Sequence, residues 1–144
     1  MTSVLDERAG ARPGRAAGKR RSTILLVGAE AGCLGQYARS FEAYGYAVDF
    51  APDGATAIRL TGEKDFDVIV SDIDEGGFCD GESLRHLREQ NHCVPVVVLS
   101  SGLAFASARA ALDCGADKYL LKPVSDDQLL EVLVEAMRDA SLRL

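Results

Sequence analysis

Three residues able to do chemistry stand at the ends of short apolar runs: Asp72 closes D-V-I-V-S-D (67–72), Ser100 follows P-V-V-V-L (95–99), and Lys122 follows K-Y-L-L (118–121). Short runs rich in Val, Ile and Leu, bounded by polar or Gly-rich sequence, read as strands buried on both faces. In an open parallel α/β sheet, ligands and reacting groups gather at the carboxyl ends of the strands. A carboxylate, a hydroxyl and an ammonium placed there converge on one small polar site, where a carboxylate is better explained by chemistry than by packing. Each alone has a plainer explanation. Asp72 reads equally well as a cap, Ser100 as a turn former, and Lys122-Pro123 as a strand-ending turn.

The elements needed to position these residues follow from the pattern along the chain. Strands are expected at Thr23 to Val27, Tyr46 to Ala51, Asp67 to Asp72, Val94 to Leu99 and Lys118 to Leu121. Helices are expected at about Ala31 to Tyr44, Gly54 to Thr61, Glu82 to Gln90, near Phe105 to Cys114, and after Ser125. Leu34, Ala38, Phe41 and Tyr44 give the first helix its apolar face, and Ala55, Ile58 and Leu60 the second. Asp53 is a good N-cap, Ser125-x-x-Gln128 a capping box, and Gly45 and Gly115 are helix stops. Leu129, Val132, Leu133, Ala136 and Met137 form a stripe on the final helix. Five strands alternating with five helices predict a doubly wound, three-layer α/β domain with helices on both faces of a parallel sheet of order 2-1-3-4-5, a flavodoxin-like sandwich.

Composition bounds the rest. With 144 residues, 47% hydrophobic and 26% charged, the chain fits one domain at 23–144 with a single core. Residues 1–22 carry six basic and two acidic groups, and the remainder ten basic and twenty acidic. The first stretch has no hydrophobic period and reads as a disordered basic tail. The acidic body argues against nucleic acid as a partner. No apolar run is long enough to cross a membrane, which points to the cytoplasm. Cys33, Cys79, Cys93 and Cys114 have no metal-ligand or paired spacing and read as reduced structural thiols. His86 and His92 receive no role.

Taken together, D-V-I-V-S-D (67–72), D-G (80–81), P-V-V-V-L-S (95–100) and G-A-D-K-Y-L-L-K-P (115–123) resemble the receiver domain of bacterial two-component response regulators, from about Ser22 to Ala140. The resemblance implies that Asp72 accepts a phosphoryl group from a histidine kinase or phosphotransfer protein. Lys122 would then neutralise the transferring oxygens, Ser100 would hydrogen-bond the phosphoryl group, and Tyr119 would be the aromatic that turns inward as a switch. It implies a Mg²⁺ cofactor, with Asp72, Asp74 and Glu30 as the residues nearest that duty. It also implies contact with a downstream protein or a second copy through the last strand and the last two helices.

This sequence departs from the family pattern where a metal would be held. Gly28 and Ala29 stand in place of the acidic pair after the first strand, leaving only Glu30. The loop after Asp72 lacks the usual Pro and is one residue longer. A hard cation is commonly held through one or two carboxylates with waters and substrate phosphate, so this loss bears directly on metal-dependent chemistry. Two mechanisms follow: a phosphorylatable switch with a weakened metal site, or a pseudo-receiver that binds partners without phosphoryl transfer. With no output segment after Leu144, the chain is expected to act by protein contact or to be the front of a longer regulator. A third alternative is a nucleotide- or flavin-binding domain, because Gly28, Gly32 and Gly35 open a helix and Asp49 lies where a ribose would be met. The spacing is G-x-x-x-G-x-x-G rather than G-x-G-x-x-G, which weakens it.

Overall fold

The computed structural model describes residues 21–77, 81–90, 93–102, 113 and 115–142. The basic tail up to residue 20, Asp80, and all of the helix expected near residues 105–114 except residue 113 lie outside the described residues. Five strands alternate with helices: β1 (Thr23–Val27), α1 (Gly35–Ala43), β2 (Ala47–Ala51), α2 (Gly54–Glu63), β3 (Val68–Asp72), α3 (Gly81–Gln90), β4 (Val96–Ser100), β5 (Lys118–Leu121) and α4 (Asp126–Leu142). All strand pairs are parallel and the order is β2-β1-β3-β4-β5, as the sequence pattern predicts.

β1, β3 and β4 are fully buried along their length, so successive side chains feed two cores. Ile24, Leu26, Val68, Val70, Val97 and Leu99 point to one face, which Leu34 just before α1, Phe41 of α1, and Leu129 and Leu133 of α4 cover. Leu25, Ile69, Val96 and Val98 point to the other, against Ala57, Leu84 and Leu87 of α2 and α3. Each such Leu or Ile contributes about 1.5 to 3 kcal/mol by leaving water. The buried alanine of α2 is Ala57, whereas Ala55, two positions earlier and expected on the apolar face, is exposed.

The local signals at the helix ends hold. The Asp53 carboxylate accepts from Thr56 N–H at 2.8 Å, and Ser125 and Gln128 cap each other at 3.1 and 3.0 Å. The first helix differs from expectation. Glu30–Leu34 forms a wide turn broken at Gly32 (φ −90°, ψ −147°), and regular helix starts only at Gly35. A Cβ on Gly35 would fall 2.6 Å from the Glu30 carbonyl oxygen, so this close crossing needs glycine. β4 ends one residue later than expected and includes Ser100. Ser22, assigned to the tail, is buried, and its carbonyl accepts from Ala47 N–H at 2.9 Å.

Candidate functional site

Register places the site. Asp72 pairs with Leu99 across β3 and β4, and Ser100 pairs with Leu121 across β4 and β5, so Asp72, Ser100 and Lys122 lie along one rim of the sheet. Val27 pairs with Ser71, and one further step brings Gly28 level with Asp72. Lys122 N–H donates to Ser100 O at 2.8 Å, fixing the chain as it leaves β5, and the Lys122–Pro123 peptide is cis.

Asp72 is completely buried. It begins a one-turn 3₁₀ segment (Ile73–Glu75), whose Asp74 N–H it caps through Oδ1 at 3.1 Å. Lys122 Nζ lies 2.9 Å from both Asp72 Oδ1 and Oδ2. Behind the turn, Gly77 packs against β3; a Cβ there would strike Ser71 Oγ and the Asp72 backbone.

Asp74 joins the group by its side chain. Its Oδ2 lies 3.2 Å from Lys122 Nζ and accepts from Ser101 N–H at 2.7 Å. Two carboxylates therefore share one ammonium. Burial pulls Lys122 down, but hydrogen bonds to Asp72 and Asp74, together with the charge of Asp72, outweigh it and push its pKa up to about 12.

Cys33 is the residue that sequence reasoning missed. Its thiol donates to Asp72 Oδ2 at 3.2 Å, so it is not simply a structural thiol. Nothing in its type or spacing signals this, because the approach depends on the broken turn at Gly32. Beside it opens a cleft of about 620 Å³ lined by Cys33, Gln36, Tyr37, Lys122, Pro123 and Val124 among others. Tyr37 O–H donates to Val124 O at 2.6 Å, and Ser40 Oγ–H to Asp126 Oδ2 at 2.6 Å, tying α1 to the segment after β5. Burial first, and then the Asp126 carboxylate, raise the Tyr37 hydroxyl above its ordinary value.

The other expected residues sit as follows. Ser100 is buried, and its Oγ accepts from Gly102 N–H at 3.0 Å rather than touching Asp72. Tyr119 is half-buried against the second core, with its hydroxyl covered and without a hydrogen-bond partner among the described residues. Glu30 is exposed at the start of the broken turn and, among the described residues, makes no side-chain hydrogen bond into the group. No cluster of three or more His, Cys, Asp or Glu side chains suited to a metal occurs among the described residues. Asp49, the ribose-binding candidate, is held by Lys64 Nζ at 2.6 Å on the edge strand.

The model of the response regulator receiver domain matches residues 24–134. The transcriptional regulatory protein TcrA of Mycobacterium tuberculosis is 37% identical over 130 residues, which cover 90% of this chain and 51% of that protein. The chain thus spans about half the length of the curated relatives it matches. Among solved structures, a CheY-like receiver domain protein from Methanospirillum hungatei superposes with a TM-score of 0.75 at 22% identity, covering 85% of this chain and 98% of that one. A response regulator from Burkholderia pseudomallei, solved with a phosphorylated aspartic acid, calcium ion and citrate, gives 0.68 at 27% identity, covering 85% and 72%. With strand order, rim residues and family match agreeing, the chain belongs to the response regulator receiver domain family.

Proposed function

We propose that this receiver domain acts as a protein-interaction module of two-component signalling and does not depend on Mg²⁺-assisted phosphoryl transfer to Asp72. The observation that carries this reading is the state of the Asp72 carboxylate. An ammonium, a thiol and a backbone N–H from its own chain engage its two oxygens. Level with it, β1 runs out into Gly28 and Ala29, which offer no carboxylate. These donors do not fit a Mg²⁺ ion, which needs near-octahedral oxygen ligands. Nor does the backbone invite a carboxylate at Gly28, whose φ of 140° is one that L side chains rarely adopt. Partners in this reading are proteins, either a downstream target or a second copy, meeting the face of β5 and α4, where Leu121 is 59% exposed.

The test is incubation with acetyl phosphate and Mg²⁺ followed by intact mass measurement. Little or no adduct of a phosphate's mass is expected. Efficient labelling that disappears in Asp72→Asn would replace this reading with the second one, in which Asp72 takes a phosphoryl group from a histidine kinase or phosphotransfer protein. That alternative draws on the common rim of Asp72, Ser100 and Lys122 and on the phosphorylated aspartic acid of the Burkholderia neighbour.

A further inference from the structure

Lys122 and Ser101 come from different segments, one after β5 and one after β4, yet both donate to a single oxygen of Asp74. An ammonium and a backbone N–H converging on one oxygen form a small anion-binding seat. It adjoins Asp72, since the same ammonium lies 2.9 Å from that carboxylate. The anion in the seat belongs to the chain itself. Although residue Asp74 as a whole is exposed, its side chain is only 18% exposed, because it folds inward from the turn after β3 onto the two donors.

We infer that the Asp74 carboxylate is a resident anion, filling the position beside Asp72 that an oxygen of an incoming phosphate or phosphoryl group would take. A tethered carboxylate competes at high effective concentration, so an external anion binds only by displacing it. Displacement alone would still leave Asp74 nearby as a like charge. Neutralising Asp74 therefore acts twice, by vacating the seat and by removing repulsion. The inference rests on the reading above of a site occupied by its own chain, and it adds which residue keeps an outside anion away.

The test uses the full chain in an Asp72→Asn background, where no aspartyl phosphate can form, so its outcome is independent of whether the wild type is labelled. Orthophosphate is titrated into Asp72→Asn, Asp72→Asn/Asp74→Asn and Asp72→Asn/Asp74→Ala, and amide proton–nitrogen correlation spectra are followed. Both double variants should bind orthophosphate about tenfold or more tightly than the single variant, the ratio that 1.4 kcal/mol would give. The Ser101 amide should be among the resonances that move most. Asp74→Ala, which also removes the side-chain acceptor, should gain at least as much as Asp74→Asn. Equal affinities in all three proteins, or shifts that bypass Ser101, would overturn the inference.

Discussion

Two ion-paired clusters sit at opposite ends of the same sheet and are wired differently. At the amino ends of β4 and β5, Arg88 of α3 donates to Gly115 O at 3.1 and 2.7 Å, to Val94 O, and to Asp117 Oδ2 at 2.9 Å. Asp117 in turn accepts from Val96 N–H at 2.8 Å. In these contacts one cation meets one carboxylate, and the other donors meet neutral carbonyls. At the carboxyl ends, one ammonium serves both Asp72 and Asp74. The two cations are similarly buried, at 16% exposed for Arg88 against 21% for Lys122, whereas Asp72 at 0% is more deeply buried than Asp117 at 18%. Burial of the cation therefore does not separate them. The first cluster is balanced in charge and closes the fold, whereas the second carries an excess carboxylate, an arrangement that stability alone does not explain.

The largest effect should come from breaking the balanced cluster. Arg88→Ala strips the cation from Asp117 and leaves the Gly115 and Val94 carbonyls without that donor, and should cost about 2 to 4 kcal/mol, somewhat below a fully buried pair because both partners keep some solvent. Urea unfolding measures it. A loss under about 1 kcal/mol would mean that the carbonyls are readily rehydrated and the clamp is ornamental.

Next comes Lys122→Met, which leaves Asp72 and Asp74 facing each other without their shared cation. The native state holds the ammonium at a pKa of about 12, against an ordinary 10.5. That difference corresponds to stabilisation on the order of 2 kcal/mol. Because the folded value lies above the unfolded one, the contribution is complete below 10.5 and is lost as pH rises through about 12. Wild type and Lys122→Met should therefore differ by a constant amount from neutral pH to about 10 and converge above it. A gap that persists undiminished at the alkaline end would assign the effect to packing of the lysine stem.

Much of this contrast was legible in the sequence, though unevenly. Asp72, Ser100 and Lys122 could be placed because buried strands announce themselves as β-branched runs, and their carboxyl ends follow from parallel topology. The role of Cys33 could not be read, since it depends on a turn bent at Gly32 and on contact across 39 positions. That the Asp74 side chain folds toward Ser101 and Lys122 cannot be read from the sequence, since only the spacing of the strand ends decides it. Arg88 is illegible for a similar reason: a basic residue in the last turn of a helix reads as an ordinary solvated charge until Gly115 and Asp117 arrive on the segment leading into β5.

Asp72→Asn should cost less than Lys122→Met, within about 1 kcal/mol, even though Asp72 is the most buried charged residue in the site. Asp74 remains to pair with Lys122, and removing one of two crowded carboxylates relieves their repulsion. A loss as large as that of Lys122→Met would show that Asp74 is no substitute, so that the two carboxylates do not share the ammonium on equal terms. The comparison with Arg88 would then collapse into two ordinary pairs.

The smallest effect is expected where the distance is shortest. Lys64 Nζ lies 2.6 Å from Asp49 Oδ2, closer than any ion pair in either cluster, and also stands 5.5 Å from the centre of the Phe66 ring. The Lys64 and Asp49 side chains are 50% and 36% exposed, so water screens the attraction and competes for both charges. Asp49→Asn should change stability by less than about 1 kcal/mol, and most of that should vanish at high salt, where screening shortens the reach of exposed charges to a few ångströms. Arg88→Ala, measured in the same buffers, should keep most of its cost, because its partners are largely shielded from the ions that do the screening. Urea melts of both variants at low and high salt separate the cases. If Asp49→Asn proved as costly and as salt-resistant as Arg88→Ala, distance would be governing ion-pair strength here, and the difference between the two ends of the sheet would lose its physical basis.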